Sequence, residues 1–317
     1  MRLVASLVLS FLAFTVDAFP TKPVRIVVAY PAGGGIDVMA RQIAEKLSGS
    51  WSQPVIVENK PGANTIVAAD TVAKAAPDGH TILMTTDATF SINPHLYKKL
   101  PYDAERGFIP VTMLVLLQQM LVAHPSLPAN NLAELIALAK QKPGTINYAS
   151  YGSGSQPHLA GEMLKHKAGI DLVHVPYKGI SLAVPAVMAG EVQLTYSGIA
   201  TGMGPVKAGR IKAIAIGGKS RSPLLPEVPT FTELGYPEVE THAWFGFFLP
   251  AGSPTEAVTR VSQETRKILE DPGFRQKALL DRGYEPVGSS PEEFASYIES
   301  DREKRGLAVK ISGARAE

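Results

Sequence analysis

The chain contains no cysteine. That absence removes thiol nucleophiles, disulfide frameworks and thiolate metal sites together. Charge of either sign is in short surplus: 31 basic residues stand against 29 acidic ones, a net of +2. No block of like charges interrupts the chain, and the basic stripe that a nucleic-acid partner requires is missing. Catalytic signatures are scarce as well. No serine has both glycines of a GxSxG elbow, and no HExxH pattern occurs. GSGSQP carries Pro157 where a GxGxxG fingerprint needs its last glycine, and GGKS at Gly217 to Ser220 has Ala213 where a phosphate loop needs its first. No cofactor is indicated.

What is present begins with MRLVASLVLSFLAFTVDA, a single arginine, an apolar run from Leu3 to Val16 and a small residue at Ala18. The run is about 14 residues, short of the roughly 20 of a membrane span, and the layout is that of a secretory signal peptide over residues 1–18. An exported chain without disulfides points to a bacterial periplasm. The remaining length, close to 300 residues, exceeds what one core usually serves, so two domains are expected.

Strand-like and helix-period segments alternate: VRIVVAY, a helix from Ile36 to Leu47, PVIVEN, a helix from Asn64 to Ala76, HTILMTT. Such alternation predicts an α/β fold whose sheets are mixed and mainly parallel, with helices on their faces. After the apolar stretch Val111 to Pro125 a second series follows: helix Leu132 to Lys140, strand TINYAS, helix Pro157 to Lys167, strand DLVHVP, helix Ser181 to Ala189, then strands EVQLTY and IKAIAI. A Pro-rich passage and the apolar run WFGFFLPAGSP return the chain to helical segments. Extended runs on either side of a central αβ module predict two lobes with two hinge crossings, near residues 123 and 243. One lobe comprises 19–123 plus 244–317 and the other 124–243. A cleft between lobes is a usual place for a small ligand.

Two turns carry the chemistry. YPAGGGIDVMAR places three glycines between a strand and a helix start, where bare backbone and unpaired helix N–H groups suit an anion without any cation. Asp37, just inside that helix, suits a capping position at least as well as ligand contact. YASYGSGSQPHLAGEM repeats the pattern with Gly152 and Gly154, and Pro157 sits in the first helical turn. His158, Glu162 and His166 share a helix face but span two turns, too far for one ion, and His158 is placed to bond the loop before it.

YPAGGGIDVMAR, VIVENKPGANTIVAADTVAKAAPDGHTILM, INPHLYKKLPYD, YGSGSQPHLAGEML, HVPYKG, PTFTELGYPEVE and WFGFFLPAGSP together resemble the tripartite tricarboxylate transporter receptors, also called Bug-type solute-binding proteins. The similarity runs from about Thr21 to near the C-terminus. The resemblance implies a two-lobed, periplasmic-binding-protein fold of type II that closes on its ligand. It implies a receptor that hands a small di- or tricarboxylate or aromatic acid to a membrane permease, without catalysis, and a monomer suits such a shuttling receptor. It also implies a site of Tyr30, Ala32, Gly33, Gly34 and Asp37 on one lobe, facing Ser153, Gly154, Ser155 and His158, with Tyr177, Lys178 and Gly179 near the mouth. Thr86 and Asp87 of TTDATF and Ser197 of YSGIATGM complete the implied set. Ile36, Asp87 and Ser197 depart from what the family usually shows, and a carboxylate at Asp87 repels an anion unless it is protonated or turned away. Two other readings are an exported hydrolase or lyase acting on an organic acid and a ligand sensor feeding a signalling partner.

Overall fold

In VRIVV four of the five residues are buried, and such a run suits a strand covered on both faces. It forms β1 (Val24–Val28), followed by α1 (Gly35–Trp51), β2 (Val55–Asn59), α2 (Ile66–Ala73) and β3 (Thr81–Thr86). The computed structural model describes residues 19–177, 180–218, 220–239 and 242–315, so the expected signal peptide lies outside the described residues. In α1 the expected stripe of Ile36, Met39, Ala40, Ile43 and Leu47 is buried. Helix α2 starts later than the apolar period suggests, because Ala63, Asn64 and Thr65 all have positive φ and cannot be helical.

A π-helical turn (Ala88–Ile92) runs into α3 (Asn93–Leu96), and β4 (Phe108–Leu117) and β5 (Gln119–Ala123) follow. Then come α4 (Leu132–Gln141), β6 (Asn147–Ser150), α5 (Gln156–Ala168), β7 (Val173–Pro176), α6 (Ile180–Ala189), β8 (Leu194–Gly198), α7 (Ile199–Lys207) and β9 (Lys212–Ile216). The chain ends with β10 (Ala243–Pro250), α8 (Thr255–Glu270), α9 (Pro272–Phe274), β11 (Tyr284–Pro286) and α10 (Pro291–Ser312).

Two mixed sheets result. The first has the order β11-β4-β10-β3-β1-β2, the second β7-β6-β8-β5-β9. Strand β1 pairs in parallel with β2 and β3, and β6 with β7 and β8. Antiparallel pairs enter through the strands on either side of a sheet change: β10 on β3 and β4, and β5 on β8 and β9. The chain leaves the first sheet at Leu117 and joins the second at Gln119, so the outward change falls at Gln118, earlier than the expected point near 123. The apolar run Val111 to Pro125 hid it, because β4 and β5 are both largely buried and the two uncharged glutamines at 118 and 119 are the whole of the polar break at the join. The return strand β10 begins at Ala243, beside the expected point near 243.

Each lobe has its own core. Phe245, Phe247 and Leu249 pack with α1 and α8 on one face of the first sheet, while Trp244, Phe248 and Phe294 form an aromatic cluster on the other. Burying side chains of this size contributes about 1.5–3 kcal/mol each. Helix α10 is shared: Phe294 and Ile298 pack in the first lobe, whereas Ala308 and Val309 join Leu121, Tyr148 and Leu159 of the second. Among the described residues no helix is long and apolar enough to cross a membrane.

Candidate functional site

The parallel strands β1 and β3 of one lobe and β6 and β8 of the other end in loops that open helices or helical turns. Carboxyl ends of parallel strands are where ligands of open α/β sheets bind. After β1, residues Pro31 to Gly35 are exposed, and Gly33 holds φ +82°, a left-handed conformation that favours glycine. Gly34 is the N-cap of α1 with φ −74° and no side-chain cap, so the N–H groups of the first turn face outward without an intrahelical partner.

Asp37 is buried behind this loop. Its Oδ2 accepts the Gly33 N–H at 2.8 Å and its Oδ1 accepts Asn59 Nδ2 at 2.9 Å, while Arg41 lies on both oxygens. Burial pushes this carboxyl up, but the bonds from Arg41, Gly33 and Asn59 outweigh it and hold the group below its ordinary value. Its charge is therefore compensated, and its lone pairs shape the loop. Tyr30 Oη lies 3.0 Å from Thr86 Oγ1, which ties the ends of β1 and β3 together. Burial raises the Tyr30 hydroxyl to about 12, against the hydrogen bond from Thr86, so it stays a neutral donor or acceptor.

The second loop uses the same device. Gly154 holds φ +74°, and its N–H donates to Nδ1 of His158 at 2.9 Å, four residues on, as Gly33 does to Asp37. A ring nitrogen that accepts carries no proton, and burial lowers the His158 pKa. His158 stacks on His174 with ring centres 3.9 Å apart, and His174 Nε2 lies 2.6 Å from Ser150 Oγ. Burial, reinforced by His158, takes His174 down to about 4. Ser155 caps its own loop, with Oγ donating to Gly152 O at 2.6 Å, and Ser153 is exposed.

The lobes meet at these loops. A Cβ on Gly154 would come within 2.4 Å of Leu96 in the first lobe, and one on Gly283 within 2.7 Å of Ile199 at the start of α7. The Tyr284 hydroxyl, next in the chain to Gly283, stands 2.4 Å from where a Cβ on Gly35 would be. Tyr284 was not among the expected residues, since a lone tyrosine in a short strand carries no sequence signal.

Tyr30, Thr86 and Ala32 to Gly34 thus gather at one rim, with Gly154 and its loop against the first lobe. Tyr177 closes back on β6 through its N–H to Ser150 O. Two expected residues are turned elsewhere. Asp87 is buried with Oδ2 at 3.4 Å from Arg305 Nη2, and Arg305 in turn bonds Asp301, which accepts the Trp244 indole N–H. Desolvation pushes the Asp87 carboxyl up, against the Arg305 charge. Ser197 is fully buried and its hydroxyl bonds Gly198 O beneath α7. Lys178 and Gly179 lie outside the described residues.

Sequence reasoning also passed over Gln156, the first residue of α5. It is buried, and both atoms of its carboxamide lack a hydrogen-bond partner among the described residues. An unmet buried polar group costs about 1–3 kcal/mol. Among the described residues, no group of acidic and histidine side chains is placed to hold a metal. A concavity of about 470 Å³ lined by Phe90, Phe108, Phe248 and Arg302 contains no residue of either glycine loop. Its guanidinium is already bonded to Phe90 O and Glu105, so it offers an acid little. The paired helix starts are the arrangement best suited to an anion.

Comparisons with known proteins bear on the family and the fold. The family model described as tripartite tricarboxylate transporter family receptor matches residues 39–313. Rpa4515 of R. palustris, solved with adipate, is 32% identical, with a TM-score of 0.86 over 94% of this chain and 99% of that one. MatC from Rhodopseudomonas palustris, solved with bound malate, is 30% identical, with a TM-score of 0.81 over 92% of this chain and 100% of that one. The periplasmic binding protein BugD is 31% identical, with a TM-score of 0.82 over 94% and 100%.

Proposed function

The chain belongs to the tripartite tricarboxylate transporter receptor family, and from that premise we propose that it captures a small carboxylate between its lobes and delivers it, unchanged, to a membrane permease. The observation that carries this reading is the pair of glycine-opened helix starts, one on each lobe, whose loops are held in shape by Asp37 and His158. Both holding groups are electrically quiet toward an anion. Arg41 neutralises Asp37, and His158 accepts and so is uncharged. What remains facing the cleft is main-chain N–H at the positive end of two helices, each end worth about 0.3–1 kcal/mol toward an anion before hydrogen bonds are added.

Binding by two lobes makes the acid a bridge. Its affinity is higher for the closed arrangement, and that difference drives closure. Adipate in Rpa4515 and malate in MatC support a dicarboxylate of this size as ligand. The receptor acts in the periplasm, as BugD does, and as a monomer that shuttles to its permease. The reading needs no nucleophile, base or metal, and Ser150, Ser155 and His158 are engaged in loop geometry.

Thermal-shift titration with malate, adipate, butyrate and benzoate tests the reading. A ligand at about a hundred times its Kd adds about 2.7 kcal/mol to folding stability, so one class of acid is expected to raise Tm by several degrees and to be recovered intact by mass spectrometry. A flat response to every acid, or conversion of any of them, overturns it.

A further inference from the structure

Every polar side chain of the second glycine loop that the fold buries has a partner, except Gln156 among the described residues. Ser150, Ser155 and His158 are all bonded within the loop or to His174. Gln156 is only 7% exposed, and neither its Nε2 nor its Oε1 meets a partner among the described residues. A methionine or leucine would fill the same space without stranding two donors and an acceptor, so packing alone does not account for an amide here.

Its place follows from the helix. Gln156 shares a face with Leu159, Ala160 and Met163 at the i+3, i+4 and i+7 positions, and those three belong to a core cluster that holds Leu135 and Tyr148 of the second lobe as well as Ile92 and Leu96 of the first. Gln156 stands two residues after Gly154, where a Cβ would meet Leu96, so its end of the helix adjoins the first lobe. Tyr196, a member of that cluster in the middle of β8, also has a buried hydroxyl without a partner among the described residues. The helix start itself is short of donors: Pro157 has no N–H, and the Gly154 N–H is taken by His158.

We propose that Gln156 is the residue through which the second lobe selects its ligand: its NH₂ supplies the carboxylate donor that Pro157 removes, and its carbonyl accepts from a donor group carried beside that carboxylate. The proposal rests on the carboxylate-receptor reading and narrows it to acids bearing a hydroxyl or ammonium next to a carboxyl group. A plain dicarboxylate leaves the buried Oε1 unmet, and a site built to bond a polar group discriminates against the analogue that lacks it.

Calorimetric titration of the full protein with malate, aspartate and succinate distinguishes these cases, since the three share a four-carbon dicarboxylate frame and differ in the donor. Wild type is expected to bind malate or aspartate at least about tenfold more tightly than succinate. Which of the two is preferred separates hydroxyl from ammonium. In Gln156→Met that preference disappears, while the ligand-free Tm stays level or rises because the stranded amide is gone. Gln156→Glu places a charge against the acid and is expected to weaken all three; it serves as the second variant should the first not fold. Acid binding without preference in wild type, or an unchanged preference in Gln156→Met, overturns the role of Gln156 and leaves the receptor reading intact. Failure of wild type to bind any of the three, nor adipate, overturns both.

Discussion

At the scale of single residues, Gly34 separates function from folding. Its φ of −74° is open to any residue, and a Cβ there would meet only Pro31 O, at an ordinary 3.6 Å. Gly34→Val is therefore expected to keep its circular dichroism and melt close to wild type, yet to weaken acid binding by about a hundredfold, roughly 3 kcal/mol, because its methyls cover the amides. Unchanged affinity in a titration would remove this loop from the site. The stacked His158 and His174 give a second outcome. Both are held below the ordinary histidine value by burial, so below pH about 6.5 the unfolded chain takes up protons that the folded one refuses. Stability from this pair is complete above that pH and declines as pH falls toward about 4, the folded value of His174. Melting curves at pH 7 and 5 should show a drop that His174→Gln reduces; an equal drop in the variant contradicts it. The glycines and His158 were legible in the sequence because φ and helix-start chemistry are local. The burial of Gln156 and the turning of Asp87 toward Arg305 were not, because both depend on α10 or the opposite lobe arriving from far along the chain.

At the scale of elements, the strands and helices follow from apolar period, and their joins do not. Strand β10 was readable as an apolar run, and all of its residues are buried. Its Gly246 has a reason only the packed structure supplies: a Cβ there would stand 2.4 Å from the Phe294 ring of α10. Gly246→Ala is expected to destabilise by about 1–3 kcal/mol through overpacking, measurable as a lowered urea midpoint; a neutral result would mean that α10 is free to shift. The start of α2 was misread for a comparable reason, since three successive left-handed residues at Ala63 to Thr65 leave no mark on hydrophobic spacing.

At the scale of the whole molecule, the two-lobed plan came from the alternation of strands and helices and from the two apolar runs that carry the chain across. The outward change at Gln118 was blurred because buried strands adjoin there. Helix α10 complicates a simple division of the chain, since Phe294 packs with one lobe and Val309 with the other. A helix that contributes to both cores, pinned at its middle through Arg305 on Asp87 and Asp301 on the Trp244 indole, limits how far the lobes can part. The most direct measurement is a crystal structure of the protein grown with malate. The expected result is an intact carboxylate at roughly 2.7–3.2 Å from main-chain nitrogens of both the Gly34 to Ile36 turn and the start of α5. An acid held by side chains away from those turns, or a changed molecule in the cleft, would contradict it.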